Sequence, residues 1–209
     1  MSPVILLHFM TRSSLKHCHE AAACNSPVPK NLYRYSDKET TMEGSRFSHE
    51  QRLARLEDIE AIKYLKAQYA EHLDDGYNPD GVASLFVDDG LWLIKGVGGE
   101  ARGKEAIRQH CRNLSSNITW ALHNIVSPAV NVDDDGQRAT ATFYLVCFVT
   151  MAPSEQSPQG EAVFIAGKYK DTLVKVDGKW YFEEITGVVQ QSSPWTDGWV
   201  KNPFVKESW

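Results

Sequence analysis

The 209-residue chain has no long apolar run, only four cysteines and no excess of positive charge. Its longest N-terminal apolar stretch, "PVILLHFM", is too short to span a bilayer and is followed at once by the polar "TRSSLKHCHE". It also lacks the longer apolar region and small-residue cleavage site of a secretory signal. No membrane association is expected. A net charge of −5 with both signs interspersed leaves no basic patch, so no nucleic acid is expected as a partner. Cys18, Cys24, Cys111 and Cys147 are too few for a disulfide scaffold. Cys111 falls in a helical pattern and Cys147 in a strand pattern, which fits reduced thiols and a cytoplasmic location. There is no phosphate-binding loop and no G-x-S-x-G nucleophile elbow, so neither a cofactor nor covalent serine chemistry has support. "HCHEAAAC" gathers His17, Cys18, His19 and Cys24. Structural zinc sites pair two such ligand groups at fixed spacing, and no second pair follows, so no metal is expected.

What remains is the composition of one globular domain with a real core. Residues 1–41 show no sustained periodicity and read as a disordered extension, with the folded unit beginning at Met42. From Ser48 to about Leu73 the spacing of Ile59, Ile62, Leu65, Tyr69 and Leu73 predicts one amphipathic helix. "DDGYNPDG" breaks it, and "PDGVASLF" reads as a short second helix with Pro79 in its first turn. "LWLIKG" is a strand, "GKEAIRQHCRNLSS" a third helix, and the rest turns to long strands. In "TWALHNIVSPAVNV", Pro128 implies a bend or an edge. In "QRATATFYLVCFVTM", Ala139, Ala141, Phe143, Leu145, Cys147, Val149 and Met151 share one apolar face. "EAVFIAGKYKDTLVKV", a tight turn and "KWYFEEITGVVQ" complete a meander ending near residue 190. Residues 191–209, with three tryptophans, are too apolar to stay in water and are expected to pack back on the domain of residues 42–190. Helices first and hairpins last give an α+β fold: a cone-shaped, curved antiparallel sheet with three N-terminal helices enclosing a pocket.

The chemistry must then come from acid–base groups. The first helix ends in "EHLDDG", with Asp74 and Asp75, and the strand after the third helix carries His123. A carboxylate on one imidazole nitrogen fixes the tautomer and stabilises the imidazolium, freeing the other nitrogen to take a proton. Helical geometry alone does not choose between Asp74 and Asp75, which flank the apolar stripe at comparable angles. Nor does it exclude the plainer possibility of a turn-forming aspartate and a hydrogen-bonded strand histidine.

"IEAIKYLKAQYAEHLDDGYNPDGVASLFVDDGLWLI", "GKEAIRQH", "LHNIVSPAVNVDDDGQRATATFYLV" and "GKYKDTLVKVDGKWYFEEI" together resemble the SnoaL-like branch of the nuclear transport factor 2-like superfamily, from about Arg55 to Gln190. Members such as scytalone dehydratase, bile-acid 7α-dehydratase and hexachlorocyclohexane dehydrochlorinase use a histidine–aspartate pair inside the cone. The resemblance implies a dehydratase-type lyase or isomerase without a cofactor, acting on a small apolar cyclic substrate such as a polyketide, terpenoid or steroid-like compound. Carried over, His123 is the base and Asp74 its partner, although counting back from Trp92 selects Asp75. Tyr69 is expected to offer a phenol as a catalytic group. Trp92, Trp120, Tyr144, Phe164 and Asp75 are expected to line the substrate site. Tyr69 also occupies the position where some relatives carry a lysine or arginine for the leaving group, which argues against halide elimination. Arg102 and Lys168 read as surface or turn residues. Homodimers or homotrimers are implied. The same fold also serves as a non-catalytic ligand-binding or partner subunit, such as the β subunit of ring-hydroxylating dioxygenases. "LWLIKGVGG" stands here in place of the proline-bearing strand usual in those subunits.

Overall fold

The computed structural model describes residues 46–95 and 99–201. Helix α1 (His49–Asp74) opens with a capping box in which the Ser48 hydroxyl accepts from the Gln51 N–H and the Gln51 side chain accepts from the Ser48 N–H. Ile62, Leu65, Tyr69 and Leu73 are buried as the spacing predicts, and Lys66 is buried with them. The helix ends because Gly76 and Tyr77 both take left-handed backbone angles, φ 62° and 57°. That reversal lets the Asn78 side chain accept from the Gly81 N–H at 2.9 Å and cap α2 (Pro79–Ser84).

The remaining elements are β1 (Phe86–Lys95), β2 (Gly99–Arg102), α3 (Lys104–Asn117), β3 (Ile118–Val132), β4 (Arg138–Met151), β5 (Glu161–Val176), β6 (Lys179–Pro194) and α4 (Gly198–Lys201). β2 and α4 add to the predicted order; at four residues each they are too short to show a period in sequence. The strands form one sheet in the order β2-β1-β6-β5-β4-β3. Every pairing is antiparallel except β1 with β6, which is parallel. A parallel pair needs a long connection, and here α3 and the whole meander separate the two strands.

Irregularities bend this sheet around α1. Register shifts fall between Val126 and Ala129 of β3, and between Ala166 and Gly167 and between Thr172 and Leu173 of β5. Pro128 sits at the first of these, on an edge strand where its missing N–H costs no ladder bond. The predicted inner face of β4 packs inward: Ala139, Ala141, Phe143, Cys147 and Val149 are buried, and Leu145 and Met151 are partly so. Polar ties hold α1 to the hairpin ends. The Asp58 carboxylate accepts from Lys175 Nζ (2.8 Å) and Trp180 Nε1 (2.9 Å), and the Arg55 guanidinium donates to the Val132 and Asp133 carbonyls.

β6 runs to Pro194, and beyond it Trp195 and Trp199 lie against Phe148 and Phe164 with ring centroids 5.9 and 5.8 Å apart. The 1–41 extension and its His17–Cys24 cluster lie outside the described residues, as do residues 202–209. No described helix is long and apolar enough to cross a membrane.

Candidate active site

Asp74 is the last residue of α1, and His123 lies in the middle of the edge strand β3. An edge strand leaves every second N–H without a ladder partner. At His123 the Asp74 carboxylate supplies one, accepting the backbone N–H at 2.9 Å, while its Oδ1 stands 2.7 Å from the imidazole Nδ1. Backbone and ring are thus held by one carboxylate. An ionised aspartate only accepts, so Nδ1 carries the proton and Nε2 is the basic nitrogen of the neutral ring. Among the described residues Nε2 has no hydrogen-bond partner. The His123 side chain is 7% exposed and that of Asp74 28%, so the pair is shielded but not sealed.

Asp75 is corrected by the same geometry. It is exposed, and its Oδ2 accepts from Asn78 Nδ2 at 3.0 Å in the turn, so it neither pairs with His123 nor lines the pocket.

His123 faces a cavity of about 390 Å³ inside the cone. Leu73, Ile94, Leu114, Ile118, Leu145, Val149, Val163 and Ile165 make its wall mostly apolar. Polar groups enter at a few points: Tyr69, Tyr77, Trp92, His110, Tyr169 and His123, with Asn117, Glu161 and Ser192. A mainly apolar cavity with few polar groups is the general form of a small-molecule site. His123 also borders a cleft of about 410 Å³ between α1 and β3, lined by Lys63, Ala70 and Pro128. Both linings are mainly apolar, that of the interior cavity the more so.

Tyr69 and Trp92 sit in the cavity wall, rings edge-to-face at 6.0 Å, and among the described residues neither the Tyr69 hydroxyl nor Trp92 Nε1 has a hydrogen-bond partner. Burial raises the Tyr69 phenol well above its ordinary value, keeping it protonated. Trp120, Tyr144 and Phe164 are corrections. Side chains alternate across a strand, and those inside are Ala121 and His123 on β3, Leu145 and Cys147 on β4, and Val163 and Ile165 on β5. Trp120, Tyr144 and Phe164 have the opposite parity and point to the outer face, Trp120 54% and Tyr144 50% exposed.

Four features escaped the sequence reading. Tyr77, in the left-handed turn after α1, packs its ring edge-on to His123 at 5.9 Å, and burial raises its phenol. Tyr169 lies beside Tyr69, where burial likewise raises its phenol. Both are aromatic residues beside glycine or charge, the one weak signal available. His110 of α3 stands edge-on to Trp92 at 4.8 Å, half-buried, and burial lowers its imidazole. Behind the tyrosines is a wholly buried ion pair, Lys66 Nζ to Asp171 Oδ2 at 2.9 Å, with angles outside those of a hydrogen bond. The ammonium sits 3.7 Å from the Tyr169 ring centroid and 4.5 Å from that of Tyr69. Cys147, opposite His123 in the β3–β4 register, has its thiol pushed up to about 12 by burial and stays neutral. Among the described residues no group of three or more His, Cys, Asp or Glu could hold a metal ion.

A curved α+β sheet wrapped on a long helix, with a cavity at its centre, is the nuclear transport factor 2-like architecture. The chain belongs to the SnoaL-like domain family, whose profile matches residues 54–186. Among solved structures it is similar to a type 2 hexachlorocyclohexane dehydrochlorinase, LinA, with 21% identity over 68% of this chain and 92% of that one and a TM-score of 0.61. A scytalone dehydratase-like protein from Novosphingobium aromaticivorans matches at 21% identity over 69% and 91% of the two chains, TM-score 0.60. An aromatic ring hydroxylase-like protein from the same organism matches at 24% identity over 68% and 96%, TM-score 0.59. At these identities the likeness is one of fold. No curated protein matches by sequence.

Proposed function

We propose that the protein is a dehydratase-type lyase or isomerase that needs no cofactor and acts on a small, largely apolar, cyclic substrate of polyketide, terpenoid or steroid-like type. The observation that carries this reading is His123 Nδ1 at 2.7 Å from Asp74, on the wall of a 390 Å³ apolar cavity. His123 Nε2 takes a proton from a carbon next to an activated position, and the C–H electrons form the new double bond. The imidazolium so formed is stabilised by Asp74. The leaving hydroxyl departs as water, taking its proton back from Nε2, so the base is regenerated and no oxidant or metal is required. The buried Tyr69 phenol is a second possible donor to that oxygen. Dehydrochlorination and dehydration, the activities named for two structures of this fold, are both eliminations.

The test is turnover of an identified substrate by H123A, with folding checked by circular dichroism. A loss of about two to four powers of ten in kcat/KM is expected, the usual worth of a positioned acid–base group. Unchanged turnover would sink the enzymatic reading and favour a ligand-binding or partner subunit using the same cavity. Self-association, as a homodimer or homotrimer, is part of the proposal and rests on the apolar outer face of the sheet.

A further inference from the structure

His110 does nothing in the reaction just described, yet its ring lines the same cavity. It projects from α3 on the β1 side, edge-on to Trp92, while His123 projects from β3. The two imidazoles thus line one cavity from different elements, α3 and β3. Among the described residues its only ring contact is with Trp92, and neither nitrogen has a hydrogen-bond partner. Histidine is an uneconomical residue for plain packing on an apolar wall, where an unpaired donor and acceptor go unused. Burial lowers its pKa and keeps it neutral, so the ring presents one N–H donor and one acceptor without a charge to bury.

We infer that His110 is a specificity-determining residue that hydrogen-bonds an oxygen of the substrate ring in the cavity that His123 also lines, so that the site takes hydroxylated or keto ring compounds in preference to oxygen-free hydrocarbons of the same shape. The inference rests on the elimination reading only in supposing that the ligand also meets His123. A neutral imidazole can accept from a hydroxyl or donate to a carbonyl, which suits oxygen in either state. A hydrocarbon or halocarbon ring leaves both nitrogens desolvated and unpaired, and sites built to hydrogen-bond discriminate strongly against analogues that lack the group.

The experiment compares binding of 1-indanone and indane, which share a ring framework, by titrating ¹⁵N-labelled full-length protein and following the histidine ring resonances. Wild type is expected to bind 1-indanone about tenfold more tightly than indane, the worth of one hydrogen bond in a shielded site, with the His110 ring nitrogens shifting. H110F, which keeps the shape, is expected to abolish the preference, and H110Q, which keeps a donor and an acceptor, to restore part of it. Equal affinities in wild type, no binding of 1-indanone, or a preference that survives in H110F would each overturn the inference. H123A is expected to retain the preference. Full turnover by H123A is the result that defeats the acid–base reading, so the two fail on different measurements.

Discussion

At the scale of single residues, Asp74 carries more than its sequence position suggests. Its carboxylate satisfies an edge-strand N–H and fixes an imidazole tautomer at once. D74N keeps an acceptor for one of those donors but removes the charge that stabilises the imidazolium, so kcat/KM is expected to fall by roughly a hundredfold or more with the fold intact. Retained activity in a folded D74N protein would show that the pair is structural. The buried Lys66–Asp171 pair makes a different prediction. Burial lowers Lys66 and pushes Asp171 up from 3.8 to about 6. A carboxyl whose folded pKa is raised stabilises the fold below its unfolded value and loses that contribution as pH rises through the folded value. Wild type is therefore expected to lose stability relative to D171N between about pH 4 and about pH 7, read from urea midpoints. Parallel curves would contradict the raised value. K66M, which strands the carboxylate, is expected to cost about 3–5 kcal/mol, and K66M/D171L to recover much of it.

At the scale of elements, periodicity made most of the fold legible. The stripe of Ile62, Leu65, Tyr69 and Leu73 and the inner face of β4 are simple spacing patterns, and both pack as spacing demands. Parity should also have excluded Phe164. Its neighbours Val163 and Ile165 point into the cavity, and a period of two sends it out. Size and aromaticity suggested a pocket residue where alternation forbade one, and the same holds for Trp120 and Tyr144. Lys66 was illegible for the opposite reason. A lysine beside the stripe reads as a solvated edge until Asp171, distant in sequence, is brought against it by the sheet. His110 was similarly hidden, because only the packing of α3 on β1 brings it to Trp92. The bulges also depend on contacts remote in sequence. At Gly167 an added Cβ would stand 2.3 Å from the Val188 carbonyl oxygen. Backbone cannot yield as a flexible side chain does, so G167A is expected to cost about 1–3 kcal/mol in chemical denaturation. A cost near zero would mean that this close approach of β5 and β6 is not needed for the bend.

At the scale of the whole molecule, the two faces of the sheet contrast. The inner face is filled by α1 and the cavity lining, whereas the outer face gathers Trp120, Leu122, Tyr144, Phe148, Phe164 and Trp195. The register sets Leu122 beside Phe148 and Phe148 beside Phe164, so these side chains form a continuous strip across β3, β4 and β5. Trp120 is 54% and Trp195 64% exposed, too much aromatic surface to gain from packing within one chain. Contiguous apolar patches of this kind mark interaction surfaces, and large aromatics dominate the energetics of such interfaces. A second copy of the chain is the occupant proposed, because a closed symmetric dimer or trimer covers the strip in every subunit with no other component. Light scattering coupled to size exclusion is expected to give two or three times the 23.5 kDa chain mass. Trp120→Glu combined with Leu122→Glu places two charges in the strip and is expected to return the protein to a monomer, because burying unpaired carboxylates costs more than the lost apolar contact supplied. Both side chains point away from the interior, so cavity binding of 1-indanone is expected to survive in the monomer. A wild-type protein that stays monomeric at tens of micromolar would remove self-association as the reason for the aromatic strip.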